Sequence, residues 1–244
     1  MIAKITNRRI VLFALLTAVT AGLFTAFMRY DWVLGDPAFN NFIYIHDDDV
    51  ETVGFHTVIS VMNIILLFPF ALELLTDHKA TEIYIVSRMA SSFRLYCIRF
   101  AQMLMLCFAE SLCYNTALLA VYCCAGTIAE PKKQLATLYA YAVISGFLTA
   151  LVFVAIMQLL AVVLSEKNTL IITVALFCAC VVISLKLADK APDLLFTNNY
   201  FLTRVFAADN ILPKQIIYAV ALPLAATGIT VAVGSCIYKH TDHL

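Results

Sequence analysis

The chain has 244 residues, of which 63% are hydrophobic and 13% charged, and its mean hydropathy is +0.91. This composition leaves too little polar surface to cover a water-soluble globule, so it excludes a soluble domain and indicates a polytopic membrane protein. Sixteen basic and sixteen acidic residues cancel, which argues against a nucleic-acid partner or a strongly charged substrate.

The first predicted transmembrane helix is the run Ile10 to Met28, nineteen residues without a charge. A helix of that length spans roughly 28 Å, close to the thickness of the hydrocarbon layer. The run exceeds the apolar part of a signal peptide and has no clear cleavage site, so we expect it to remain as a span. Residues 1–9, with Lys4, Arg8 and Arg9, are predicted to form a cytoplasmic interfacial lead.

An acidic segment follows the first helix and is predicted to lie outside the membrane. Its core is His46 followed by Asp47, Asp48 and Asp49. Consecutive carboxylates converge on one cation only along a special backbone path, so a solvated acidic loop is the preferred interpretation and a divalent-metal site the alternative.

Five more helices complete an all-α fold with six transmembrane helices in a single transmembrane domain, residues 1–244. A loop at 76–97 and a polar turn at 165–168 separate some of them. The segment 188–215 is too apolar for an ordinary loop and too interrupted to span. We expect it to be re-entrant or interfacial, with a folded external loop as the alternative. The helices are predicted at roughly 58–75 (containing Pro69), 100–125, 138–164, 169–187 and 216–238.

The distribution of basic residues predicts the topology. Nine of the sixteen Lys and Arg residues fall on the side of the N-terminus, and the first hairpin carries the strongest bias. Both termini and the 76–97 loop are therefore predicted to be cytoplasmic.

Two carboxylates lie near or inside predicted spans. Glu110 is about ten residues into the third helix, and an intramembrane acid is by default a functional-site candidate. Transport or gating is one reading of Glu110, and structural packing with Gln102, Ser111 or Asn115 is the other. Glu73, at the inner end of the second helix, is predicted to pair with a loop cation or to contact a partner.

No catalytic constellation is visible in the chain. It contains no HExxH motif, no paired nucleophile and base, and no GxxxxGK[ST] nucleotide-binding loop. The cysteines, mostly in apolar runs without CxxC spacing, predict small apolar side chains in preference to a metal or redox site. We therefore expect no enzyme activity, metal or cofactor in this chain, and energy supplied by a partner or an ion gradient.

The loop between the second and third helices resembles that of ABC-2 transporter permeases. The similarity is carried by Glu73, Thr81 and Glu82, by the apolar run at 83–86, and by the pairs Ser87 with Arg88, Ser91 with Arg94, and Tyr96 with Arg99. The six-span layout and the basic lead are also similar. The chain has Met89 and Ala90 where the family often has proline.

This resemblance implies a permease subunit of an ATP-driven exporter in a bacterial plasma membrane, crossing it several times. A separate cytoplasmic ABC ATPase would bind ATP and Mg, and a second permease subunit, identical or different, would complete the pathway. The implied cargo is an amphipathic or hydrophobic substrate, most simply a peptide, toxin or antimicrobial of the kind moved by bacterial peptide exporters, including the type that exports phenol-soluble modulins. The implied ATPase contact consists of Asp77, Thr81, Glu82, Ile83, Tyr84, Ile85, Val86, Ser87 and Arg88.

Two other functions remain open at the level of sequence. An ion- or proton-coupled carrier using Glu110 would need no ATPase. A membrane scaffold or sensor would transport nothing.

Overall fold

A computed structural model describes residues 50–76, 92–124, 132–187 and 213–241, together with the helical positions Val11, Leu12, Leu15 and Val19. Within these ranges the regular secondary structure is entirely α-helical, as predicted. The five helices are α1 (Val50–Thr76), α2 (Ser92–Cys124), α3 (Lys132–Val163), α4 (Glu166–Leu187) and α5 (Pro213–Thr241).

Four of these helices are long and apolar enough to cross a membrane, which points to a membrane protein. The corresponding stretches are Tyr96–Ala117 in α2, Tyr139–Val163 in α3, Glu166–Ile183 in α4 and Val220–Tyr238 in α5. The apolar part of α1 is the shorter Val61–Leu75. Most of the first predicted helix lies outside the described residues, so six spans and the orientation of the termini stay predictions.

Several helices begin earlier than predicted. α1 begins at Val50 inside the predicted external loop, and α2 begins at Ser92 inside the predicted 76–97 loop. The predicted boundaries came from hydropathy, which marks where a helix leaves the apolar layer. The backbone hydrogen bonds of the helix continue beyond that point, because charged residues such as Arg94 also favour helix. The 33 residues of α2 extend about 50 Å, well beyond the roughly 30 Å of hydrocarbon.

The predicted polar turn at 165–168 is also shorter in the structure. Only Leu164 and Ser165 interrupt the helices, and Ser165 accepts the first hydrogen bond of α4 from the backbone N–H of Thr169 at 2.9 Å. Serine is favoured at this position because its side chain can satisfy a free N–H of the first turn. α4 thus begins at Glu166, three residues before the predicted start.

α2 and α3 pack as an antiparallel pair. Thr116 Oγ1 lies 2.7 Å from Tyr139 Oη, Ser111 Oγ donates to the Val143 carbonyl at 2.8 Å, and Gln158 Nε2 donates to the Tyr96 carbonyl at 3.1 Å. The residue numbers rise along α3 as they fall along α2. The start of α2 and the end of α3 therefore lie at the same end of the bundle.

α3 is the central helix. In α3, 67% of the stretch that is long enough to span is buried inside the protein. In α4 and in α5, the buried share of the corresponding stretch is 22%. Buried Ala150 and Ala155 allow close approach of neighbouring helices, as small residues do in membrane bundles. Three rings join α1, α3 and α4: Phe153 lies 4.9 Å from Phe177 and 6.5 Å from Phe68 between ring centroids.

Candidate functional site

Glu110 is the charged residue that the structure buries most completely among the residues it describes. Its side chain is 2% exposed, on the face of α2 that is covered by other helices. It lies seven residues before the end of the apolar stretch Tyr96–Ala117, or roughly 10 Å from that end. Glu110 therefore lies in a helix that is long and apolar enough to cross a membrane, and its position inside a span stays a prediction. Because the side chain is almost fully buried, water does not reach the carboxyl group, so it needs a partner from the protein.

That partner is Asn63 on α1. The side-chain amide Nδ2 of Asn63 donates a hydrogen bond to Glu110 Oε1, and Asn63 is itself only 6% exposed. Asn63 is surrounded along α1 by apolar core residues, including Ile64 and Leu67. We call these two residues the Asn63–Glu110 pair. It joins two helices that are consecutive in the chain by a polar contact in an apolar core.

The polar neighbours of Glu110 along α2 bind elsewhere. Ser111 Oγ donates to the Val143 carbonyl on α3, and Asn115 Nδ2 donates to the Ser111 carbonyl, each at 2.8 Å. Both side chains are buried. The hydrogen bond to Glu110 comes from Asn63 on another helix, and structural packing of Glu110 with Gln102, Ser111 or Asn115 stays a prediction.

Of the remaining candidate site residues, the structure describes Glu73 but not those of the proposed ATPase contact or the interfacial lead. Glu73 lies in the last turn of α1 and is exposed. The proposed ATPase contact, Asp77 to Arg88, and the interfacial lead with Lys4, Arg8 and Arg9 lie outside the described residues. So does most of the segment 188–215, of which only 213–215 is described, as the start of α5.

Sequence reasoning missed Asn63 and Gln158. Each is a single amide side chain in a long apolar run, and each is buried and donates across a helix boundary. The available signal was their polarity, because a polar residue inside a span normally faces the bundle. Their partners are 47 and 62 residues away, which no local pattern encodes.

The described part of the chain offers no group of three or more His, Cys, Asp or Glu side chains that could hold a metal ion. Six of the eight cysteines, those whose side chains the structure describes, are free thiols, of which Cys107 is buried and Cys236 exposed. The chemistry available at the Asn63–Glu110 pair is therefore hydrogen bonding and proton or cation contact at a carboxyl group.

Comparison of the chain with protein-family profiles, curated proteins and solved structures finds no match. The resemblance to ABC-2 permeases thus rests on the loop residues and on the pattern of spans, and it stays a prediction.

Proposed function

We propose that this chain is a multi-pass permease subunit of an ATP-driven ABC exporter. The observation that carries the exporter is the resemblance of the loop residues 73–99 to ABC-2 permeases, and the Asn63–Glu110 pair, a buried polar contact between two apolar helices, supports it. Soluble and membrane proteins alike bury a carboxyl group only with compensation, and in membrane helices such groups usually mark a pathway or a moving part. The favoured cargo is an amphipathic or hydrophobic molecule, most simply a peptide, exported across a bacterial plasma membrane.

The position of the pair fits this role. α1 ends at Thr76 and α2 begins at Ser92, so the two helices joined by Asn63 and Glu110 are the two that flank the proposed ATPase contact. A force applied to residues 77–88 would act on both helices at once. The Asn63–Glu110 pair, which lies between the two helices, would then respond to a change in their relative position.

Energy must come from outside the chain. No GxxxxGK[ST] sequence is present, so ATP and Mg would be bound by a separate ATPase subunit. The ATPase would have to bind the two conformations of the permease with different affinity, because only differential binding shifts a conformational equilibrium. A second permease subunit would complete the pathway.

Co-purification tests the proposal. The full-length chain, extracted from its native host in mild detergent, is expected to carry a soluble ATPase that is lost on Ile83→Asp or Arg88→Glu. The matched control is Lys167→Glu, a charge reversal at an exposed residue at the start of α4, which should leave the ATPase bound. Absence of any ATPase from the wild-type preparation, or equal loss from the control, would contradict the proposal.

The second candidate is an ion- or proton-coupled carrier, and the 2% exposure of Glu110 inside a span favours it. In such a carrier the carboxyl group itself binds and releases the coupling ion, and no ATPase takes part. Transport driven by a proton gradient in vesicles without an ATPase, abolished by Glu110→Gln, would support the carrier and contradict the exporter.

A further inference from the structure

A second buried polar contact lies at the other end of the α2 span, close to the proposed ATPase contact. Tyr96 is 1% exposed and lies in the second turn of α2. Its backbone carbonyl accepts a hydrogen bond from Nε2 of Gln158 on α3, and its ring centroid lies 5.8 Å from that of Tyr238 on α5. We call Tyr96, Gln158, Gly234 and Tyr238 the Tyr96 junction.

Gly234 makes this junction tight. A Cβ atom added to Gly234 would clash with Tyr96 Oη and lie 2.8 Å from Cζ, so any larger residue here requires the Tyr96 ring to shift. Gly228, on the same helix, would meet nothing within 4 Å. The close fit is therefore local to the turn of α5 that faces Tyr96, and the ring lies against Gly234 and Tyr238, one turn apart.

The junction is also incompletely satisfied. Tyr96 Oη and Gln158 Oε1 are buried, and neither has a hydrogen-bond partner among the described residues. Buried polar atoms without hydrogen-bond partners cost free energy, so an arrangement of the helices that gave these two atoms partners would be more stable by that amount. The junction thus combines steric fit with two buried polar atoms that lack hydrogen-bond partners among the described residues. Packed interiors of this kind switch between discrete arrangements and do not deform continuously.

The Tyr96 junction lies close in sequence to the segment between α1 and α2. Tyr96 follows the first residue of α2 by four positions, and residues 77–91 lead directly into that helix. Glu110 is fourteen residues further on, or about 21 Å along the helix axis. A displacement at the start of α2 therefore reaches the Tyr96 junction before it reaches the Asn63–Glu110 pair.

We infer that the Tyr96 junction transmits movement of the 77–91 segment to α3 and α5. This inference rests on the proposed function, in which an ATPase moves that segment. Tyr96 acts as a wedge: its ring moves α5 through Gly234 and Tyr238, and its carbonyl moves α3 through Gln158. Without the junction, α2 would move alone and the ATPase would remain bound but uncoupled.

The test measures the distance between spin labels on α4, which has no residue in the junction, and α5 in the ATPase complex reconstituted in liposomes. The labels replace Val182 and Leu224, both exposed, in a background without the native cysteines. Wild type and the control Gly228→Ala are expected to show a distance change between the nucleotide-free and the ATP–vanadate states. Gly234→Ala should retain the bound ATPase and lose that change.

Gln158→Met provides a second variant of similar size, which removes the hydrogen bond to Tyr96 without crowding the junction. With labels at Ile144 on α3 and Val182 on α4, both exposed, it should keep the ATPase and lose the α3–α4 distance change that Gly228→Ala shows, and it decides the matter if Gly234→Ala fails to fold. A distance change equal to that of Gly228→Ala in a folded, ATPase-bound Gly234→Ala, or in Gln158→Met, would overturn the inference while leaving the proposed function intact. A wild-type chain that binds no ATPase would overturn both.

Discussion

Replacing Asn63 by leucine removes the only amide that donates to Glu110 among the described residues and leaves the carboxyl group in the apolar core. Because Asn63 is 6% and Glu110 2% exposed, water cannot take over the hydrogen bond. Leaving a buried polar group unsatisfied costs about 1–3 kcal/mol. Hydrogen bonds between membrane helices are worth about 0.6 kcal/mol on average and up to about 1.7. We therefore expect Asn63→Leu to lower the free energy of unfolding by about 1–3 kcal/mol.

The assay is reversible unfolding of the purified chain by SDS titration in mixed micelles, followed by circular dichroism. The matched control is Met62→Leu, the neighbouring residue, which is 53% exposed and should change stability by less than about 0.5 kcal/mol. The double variant Asn63→Leu with Glu110→Met removes both polar groups and should recover much of the loss, with a coupling of roughly 0.6–1.7 kcal/mol. A single Asn63→Leu variant as stable as the control, or strictly additive effects, would refute the reasoning.

Three further predictions concern packing and insertion. Phe153→Ala removes the central ring of the core and should lower the free energy of unfolding by about 3–5 kcal/mol in the same assay. Phe93→Ala, at a residue that is 54% exposed, should lower it far less. Equal losses of stability in the two variants would contradict the assigned core. Ile229→Lys places a charge at the middle of the α5 span on its 66% exposed face, and should raise the apparent insertion free energy by about 2.5–3.5 kcal/mol in a glycosylation-mapped insertion assay; unchanged insertion would argue against a lipid-facing span. Ser111→Ala removes the bond to α3 and should destabilise by only about 0.6 kcal/mol, so a loss above about 2 kcal/mol would assign this serine a larger role.

The sequence predicted the helical class and the position of Glu110 in a long apolar helix, because long uncharged runs admit few structures in a membrane. It predicted helix boundaries poorly. α2 continues through Arg94 and Arg99 into the predicted loop, since charge limits the depth of a helix in the bilayer and not its hydrogen-bonded length.

The contacts of the site lay beyond sequence reasoning. Glu110 was a candidate from its type and depth, but Asn63 is an isolated amide 47 residues earlier, and their pairing depends on how α1 packs against α2. The Tyr96 junction is a similar case. Tyr96 was one of the residues that carry the loop resemblance. The preference for glycine at position 234, however, follows only from the close approach of α5 to the Tyr96 ring.

The most direct test of the exporter proposal is transport by the purified permease in liposomes, with a fluorescent amphipathic helical peptide as the probe. We predict ATP-dependent movement of the peptide only when the co-purified ATPase is present, lost on Ile83→Asp and retained on Lys167→Glu. Movement driven by a proton gradient alone, without the ATPase and sensitive to Glu110→Gln, would contradict the account.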